Sequence, residues 1–291
     1  MTPARTYTVR SQRLDLHVSE WGDHQAPPLL LIHGGRDHGL SWTGVASELA
    51  TTWRVIAPDL RGHGDSGWIV DGIYDVTDHL VDLATLVDII GLHPVTIVGH
   101  SYGGNIGLRY AACYPERVHR LVVIEGLGYS PNRTAEIEAQ SPALRLRDWV
   151  ESVRAAEARS LRRYSDQSEA AQRLAEAHPR LPADTARQLA LDSLRDVGGG
   201  QWSFKTDPAF GVVSPADLST NEKHALWRSV ECPVLLIYGS ESWASNPAMD
   251  GRATHFRQAR VALIEGAGHW VHLEQPKLFM AELRVFLGEK P

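Results

Sequence analysis

Short apolar runs alternate with longer helical patterns over most of this chain. Six runs of four or five residues are rich in Val, Ile and Leu and contain few polar positions. Continuous apolar runs of that length are typical of parallel strands that are buried on both faces. We therefore predict buried parallel strands at residues 29–32, 54–57, 95–98, 121–124, 234–238 and 261–264.

The other periodic segments predict helices and an opening pair of strands. Residues 80–90 place apolar side chains at helical spacing and stop at Gly91, a residue type that favours the end of a helix. Residues 277–287 repeat the helical pattern, and residues 7–9 and 14–21 are expected to form an antiparallel pair. Strands that alternate with helices in this way predict an α/β fold with a doubly wound, mostly parallel sheet.

One long segment interrupts the alternation. Residues 126–228 contain no convincing buried strand, and their basic and acidic residues balance. Their helical patterns cover residues 141–159, 168–178 and 183–197. We interpret the segment as a helical cap inserted into an α/β core that consists of residues 1–125 and 229–291.

Composition excludes some classes of function. The chain has 291 residues, of which 43% are hydrophobic, and a formal charge of -6. A net negative charge argues against nucleic acid or an anionic membrane surface as a partner. No apolar run is long enough for a membrane span, and the N-terminal segment lacks the pattern of a signal peptide. We therefore expect a cytoplasmic protein that binds neither nucleic acid nor membrane.

The pentapeptide Gly99-His100-Ser101-Tyr102-Gly103 lies between the predicted strand at 95–98 and a helical pattern. A serine at a sharp turn from strand to helix needs glycine two residues before and after it, because side chains there would obstruct the turn. The turn exposes the serine hydroxyl to a base and to a substrate. This context predicts that Ser101 is a catalytic nucleophile.

A serine hydroxyl needs a base to remove its proton, and His269 is the best placed of the 14 histidines. It follows the predicted strand at 261–264, and Gly266 and Gly268 free the loop to turn the ring over the sheet edge. His272 would give an H-x-x-H metal pair with His269. No third ligand cluster is apparent in the sequence, so we expect no metal.

Backbone N–H groups near the serine must stabilise the negative charge of a tetrahedral intermediate. His33-Gly34-Gly35 directly follows the predicted strand at 29–32. We expect the N–H groups of Gly35 and Tyr102 to form this oxyanion hole and His33 to brace the loop. The alternative interpretation of Gly34 and Gly35 is a tight turn without a catalytic part.

In combination and in order, four motifs resemble the α/β-hydrolase fold superfamily, in its serine-nucleophile branch. They are His33-Gly34-Gly35, the segment from Ala57 to Ser66, the segment from Gly99 to Gly104, and Gly266 to His269 with Glu274-Gln275-Pro276 after it. The resemblance implies a sheet of about eight strands, a cap inserted after the sixth strand and an active site without a cofactor. It also implies that Arg61, His63 and Asp65 belong to a structural turn, and that His100 is a packing residue.

The acid of the expected triad departs from the commonest pattern of this family. The resemblance places an aspartate three residues beyond the glycine that ends the seventh strand, where this chain has Ser242, and Glu241 precedes it. Some family members carry the acid at the end of the sixth strand, where this chain has Glu125. We favour Glu125 and keep Glu241 as the alternative acid. An ion-paired strand end without a catalytic part is the third interpretation of Glu125.

Serine at position 101 excludes the alkyl-enzyme mechanism of family members that carry aspartate there. We predict a serine hydrolase that cleaves a carboxylic ester or lactone through an acyl-enzyme. Aromatic residues in predicted loops at the edge of the site are expected to line a pocket for a small apolar substrate. They are Trp42, Tyr102, Tyr129, Trp243 and Trp270, although several of these rings could equally lie in the core.

Three other functions remain open at this level. A carbon-carbon bond hydrolase or a perhydrolase could use the same triad, and a hydrolase-fold ligand receptor could retain it with slow turnover. We expect a small-molecule substrate and no cofactor. The oligomeric state, including a homodimer, stays open.

Overall fold

The computed structural model describes residues 2–289 and contains one large sheet and one small sheet. The large sheet has eight strands in the order β1-β2-β4-β3-β5-β6-β9-β10. The strands are β1 (Arg5–Ser11), β2 (Leu14–Trp21), β3 (Pro28–Ile32), β4 (Arg54–Pro58), β5 (Val95–His100), β6 (Val118–Ile124), β7 (Leu194–Asp196), β8 (Trp202–Phe204), β9 (Val234–Gly239) and β10 (Ala259–Ile264).

Strand pairing confirms the expected fold class. The second strand runs antiparallel to both β1 and β4, and every other pair in the large sheet is parallel. The carboxyl ends of the parallel strands therefore meet at one edge of the sheet, where ligands bind in open α/β folds. All six predicted parallel strands and the antiparallel opening pair are present.

Besides three short 3-10 helices, ten α-helices accompany the strands in the described part of the chain. They are α1 (Thr43–Leu49), α2 (Val76–Ile90), α3 (Tyr102–Cys113), α4 (Pro131–Glu138), α5 (Pro142–Glu157), α6 (Gln167–Ala177), α7 (Ala183–Asp192), α8 (Thr220–Arg228), α9 (Val271–Glu274) and α10 (Pro276–Leu287). Within residues 2–289, no helix combines the length and the apolar character that a bilayer span requires.

Local signals in the sequence set the helix ends. The Asp75 side chain accepts a hydrogen bond from the Thr77 N–H at the start of α2, and Gly91 ends this helix in the left-handed conformation. The Ser141 side chain accepts from the Leu144 N–H at the start of α5 in the same way. These pairings satisfy backbone groups that have no partner inside the helix.

The core consists of two apolar layers, one on each face of the large sheet. In β3, Leu30 and Ile32 belong to one layer, whereas Leu29 and Leu31 belong to the other. This division follows from the alternation of side chains along a strand. Because all four side chains are fully buried, the strand reads as a continuous apolar run.

The inserted segment, residues 126–228, lies between β6 and β9 and contains α4 to α8 with the antiparallel pair β7–β8. The helix expected at 183–197 was too long, because α7 ends at Asp192 and a three-residue strand follows. Helix α4 buries no residue and α5 buries only Ala156. In contrast, Trp227 of α8 joins one of the two core layers of the sheet.

Candidate active site

Ser101 stands at the turn between β5 and α3, with a φ of 50° and a ψ of -114°. A side chain in this region of backbone conformation is strained, and such residues persist where their surroundings hold them. The Ser101 N–H donates to the Ile124 carbonyl at 2.7 Å, and the Asn105 N–H donates to the Ser101 carbonyl at 3.1 Å. The turn is thus fixed to β6 on one side and to α3 on the other.

Glycine is required on both sides of this serine. A Cβ at Gly103 would lie 2.4 Å from the backbone oxygens of Ile32 and His33, and a Cβ at Gly99 would lie 2.6 Å from Gly104. Real Cβ atoms do not approach other heavy atoms so closely. The helix therefore packs directly on the strand ends, as the sequence pattern predicts.

The structure brings His269, Ser101 and Glu125 into one chain of hydrogen bonds. His269 Nε2 lies 3.0 Å from Ser101 Oγ, and His269 Nδ1 lies 2.5 Å from Glu125 Oε2. An ionised carboxylate can only accept, so Nδ1 carries the ring proton and Nε2 presents its lone pair to the serine hydroxyl. In this tautomer the imidazole can act as a base toward Ser101.

Glu125 follows β6 with a φ of 50°, and its side chain is fully shielded from solvent. Its Oε1 accepts from the Gly239 N–H at 2.8 Å, and its Oε2 accepts from the Ser242 hydroxyl at 2.6 Å. A buried carboxylate is costly unless hydrogen bonds satisfy it. These donors, together with His269, stabilise the negative charge of Glu125.

Glu241 does not reach His269. Its carboxylate forms an ion pair with Arg180, and both side chains are about half exposed. The structure therefore places the alternative acid on the surface, between the loop after β9 and the inserted segment.

The two expected oxyanion donors lie next to each other. A Cβ on Gly35 would be 4.0 Å from the Tyr102 Cβ, and a Cβ on Gly34 would be 3.3 Å from the Ser101 Cβ. Neither the Gly35 N–H nor the Tyr102 N–H donates to another group within residues 2–289. The structure thus brings the two expected donors close to each other and to Ser101, as an oxyanion hole would require.

Two buried histidines hold the loops around these donors. His33 Nδ1 donates to the Gly34 carbonyl at 2.7 Å, and its Nε2 accepts from the Leu60 N–H at 2.9 Å. His63 Nδ1 donates to the Arg61 carbonyl, and its Nε2 accepts from the Arg36 N–H at 3.0 Å. Burial lowers the pKa of both rings, so they stay neutral and keep these donor and acceptor roles.

Asp37, His100 and His272 form a buried cluster, in which each residue offers a potential ligand atom within 4.8 Å of the others. His100 Nε2 donates to the His269 carbonyl at 2.9 Å. Burial lowers the pKa of His272 to about 3 and that of His100 well below its usual value. His269 uses both ring nitrogens on Ser101 and Glu125 and is not a member of this cluster.

The five predicted pocket residues lie in different environments. Tyr102, the first residue of α3, is partly buried and packs against one core layer. Trp42 was placed wrongly, because it is fully buried and stacks on His272 with 4.2 Å between ring centroids. Trp243 is exposed and its ring centroid lies 4.8 Å from that of His269. Trp270 stacks on His178 of the inserted segment, and Tyr129 is half exposed.

Two residues near the site had no signal that would identify them in the sequence. The hydroxyl of Ser242 is one of the Glu125 donors, although the sequence marked this position only as lacking an aspartate. The ring of Phe210, in the inserted segment, packs against Gly35. A Cβ atom on Gly35 would lie 2.9 Å from this ring. Both contacts join segments that are distant along the chain.

Comparison with known families gives one clear match. Residues 27–276 match the family model that is described as alpha/beta hydrolase fold. The match includes the segments that carry Ser101, Glu125 and His269.

Individual relatives differ in their named activities. A putative 2-succinyl-6-hydroxy-2,4-cyclohexadiene-1-carboxylate synthase from Bacillus subtilis (strain 168) is 29% identical, over 93% of this chain and 93% of that protein. The sn-1-specific diacylglycerol lipase ABHD11 from Mus musculus is 27% identical, over 92% of this chain and 83% of that protein. The solved thioesterase domain from the curacin biosynthetic pathway superposes with a TM-score of 0.82 at 23% identity, over 97% of this chain and 99% of that one.

Proposed function

Because the chain belongs to the alpha/beta hydrolase fold family, we propose that it is a serine hydrolase that cleaves a carboxylic ester or lactone. Ser101 is the nucleophile, His269 the general base and Glu125 the acid. The observation that carries the proposal is the continuous relay from Ser101 Oγ through His269 to the buried Glu125 carboxylate, with distances of 3.0 and 2.5 Å.

The first half of the reaction forms an acyl-enzyme. His269 Nε2 takes the Ser101 proton as Oγ attacks the substrate carbonyl, and the developing imidazolium is stabilised by Glu125. The carbonyl oxygen becomes an oxyanion between the N–H groups of Gly35 and Tyr102. His269 then gives its proton to the leaving alkoxide, and the carbon-oxygen bond of the ester breaks.

The second half repeats these roles with water. His269 removes a proton from water, which attacks the acyl carbon, and the same N–H groups bind the second oxyanion. Collapse returns the proton to Ser101 Oγ and releases the carboxylic acid. Each proton and each developing charge is assigned to a group of this chain, so the proposed mechanism needs no cofactor.

The inserted segment supports a cap over this site. Leu181, Ala186 and Leu189 form a small apolar cluster to which Trp270, the residue after His269, contributes. Trp243 adds an exposed ring beside His269. We propose that the cap and these rings bind the acyl or alcohol part of a small, mainly apolar substrate.

A second candidate is carbon-carbon bond chemistry with the same triad. The Bacillus subtilis relative, which aligns over nearly the full length of both chains, is named as a putative synthase of a cyclohexadiene carboxylate and not as an ester hydrolase. The two candidates differ in whether the purified protein turns over simple aryl esters in a steady state. A panel of esters and lactones decides between them.

The triad is tested by covalent labelling and by two matched carboxylate variants. An organophosphonate is expected to modify Ser101, as read by mass spectrometry, and Ser101→Ala is expected to abolish ester turnover. Glu125→Gln should reduce kcat by a factor on the order of 10⁴. Glu241→Gln makes the same chemical change in an exposed ion pair and should retain most activity. Labelling of another serine, or the reverse behaviour of the two variants, would refute the assignment.

A further inference from the structure

Ser242 occupies the point where the acid, the base and the loop after β9 meet. Its hydroxyl lies 2.6 Å from Glu125 Oε2, the same oxygen that accepts from His269 Nδ1 at 2.5 Å. The other oxygen, Oε1, accepts from the Gly239 N–H. Two donors therefore converge on the oxygen that faces the imidazole, and one of them comes from position 242.

The direction of the serine hydrogen bond follows from its neighbours. The Ala244 N–H donates to Ser242 Oγ at 3.1 Å, so this oxygen already acts as an acceptor. The single hydroxyl proton can then point only to an acceptor, and the Glu125 carboxylate is the one within reach. A short bond from a hydroxyl to an ionised carboxylate is among the stronger hydrogen bonds in proteins.

Backbone bonds fix Ser242 without help from Glu125. The Ser242 N–H donates to the Gly239 carbonyl at 3.3 Å, and the Glu241 N–H donates to the Ala267 carbonyl at 2.9 Å. Ala267 precedes His269 by two residues. The loop that carries the hydroxyl is therefore attached both to β9 and to the segment that carries the base.

We propose that Ser242 is a positioning residue of the triad, which holds the Glu125 carboxylate in the orientation that aligns His269 with Ser101. This rests on the proposed triad. The terminal torsion of a glutamate side chain is soft, so hydrogen bonds must fix the carboxylate plane. Because Glu125 is shielded from water, no solvent molecule replaces a lost donor easily.

The test compares three serine variants of the full-length protein on an aryl ester. Ser242→Ala removes the donor, Ser242→Thr retains a hydroxyl, and Ser240→Ala removes an exposed hydroxyl that accepts from the Gly266 N–H. Ser242→Ala is expected to lower kcat by roughly 10- to 100-fold with little change in KM, because a buried charged group loses one hydrogen bond. Ser242→Thr should recover most of the loss, and Ser240→Ala should resemble the parent.

A double-variant cycle separates positioning from a general structural role. If Ser242 acts through Glu125, then Ser242→Ala should change kcat by less than about threefold in a Glu125→Ala background. Fully additive losses, or a Ser242→Ala variant as active as Ser240→Ala, would overturn the proposal while the triad stands. If Glu125→Ala itself leaves kcat unchanged, the proposed triad fails instead.

Discussion

Mild acid should destabilise this protein through its buried histidines. The rings of His63, His79, His100 and His272 are at most 1% exposed, and burial is the largest cause that lowers the pKa of each. The pKa falls to about 4 for His79 and to about 3 for His272. In the unfolded chain each ring regains a pKa of about 6.5.

The direction in which the free energy of unfolding changes with pH follows from proton binding. Below pH 6.5 the unfolded chain binds protons that the folded chain excludes, so the free energy of unfolding falls with pH. A lowered pKa contributes stability that is complete above about pH 6.5 and is lost as the pH falls toward the folded-state value. At about pH 5 the loss is about 2 kcal/mol for His79 and about 2 kcal/mol for His272, and His63 and His100 add losses of the same sign.

Other groups do not cancel this loss in the same pH range. The hydrogen bond from His17 to Asp59 raises the pKa of His17, so this ring acts in the opposite direction, but it is one group against these four rings and His33, whose pKa burial also lowers. Asp59 has a lowered pKa, and its contribution is lost only below about pH 4, where unfolded aspartates take up protons. Between pH 6.5 and 5 the buried histidines therefore dominate.

The assay is urea unfolding at constant ionic strength, followed by the fluorescence of the nine tryptophans. The free energy of unfolding should fall by at least about 4 kcal/mol between about pH 7.5 and pH 5, a large share of the stability of a typical domain. His272→Gln should reduce this fall by about 2 kcal/mol, and His119→Gln, which changes an exposed ring, should not. A free energy that stays constant over this range would refute the reasoning.

Two further predictions concern packing and buried charge. Gly103→Ala should lower the free energy of unfolding by about 3 kcal/mol or more in chemical denaturation, because its Cβ would meet backbone oxygens at 2.4 Å. Gly44→Ala, in α1 with open space around it, should instead raise the free energy of unfolding by about 0.5 to 1 kcal/mol. Asp82→Ala should cost about 3 kcal/mol in the same measurement, because the buried Arg61 guanidinium loses its bonds of 2.6 and 2.8 Å and keeps only the longer contact with Asp78 at 3.8 Å. Equal stability of the two glycine variants, or a neutral Asp82→Ala, would contradict these arguments.

The sequence predicted the elements whose signals are local. The large sheet follows from apolar runs, and α2 follows from its spacing and from Gly91. The pair β7–β8 escaped detection, because three-residue strands are too short to show a period. Trp42 was misplaced for a related reason: an aromatic residue in a short turn has no periodic neighbours to indicate whether it points outward or into the core.

Contacts between distant segments lie beyond such signals. The sequence offered both Glu125 and Glu241 as acids, and only the folded chain brings one of them to the imidazole and the other to Arg180. Nothing in the sequence indicates that Ser242 bonds to Glu125, because that bond depends on the register between β6 and β9. Side-chain chemistry narrows the candidates, and the three-dimensional arrangement selects among them.

Because α4 and α5 bury so few residues, we expect them to be less stable locally than the strands of the large sheet. Helices that contribute so little apolar surface can open locally with a free energy well below that of global unfolding. Most of the stability of a helix in a protein comes from the packing of its apolar face, and the 16 residues of α5 have little of it. We therefore expect backbone amides of α5 to exchange with deuterium long before those of β5 and β6, and a protease that cuts α5 should leave in place the two strands that precede Ser101 and Glu125.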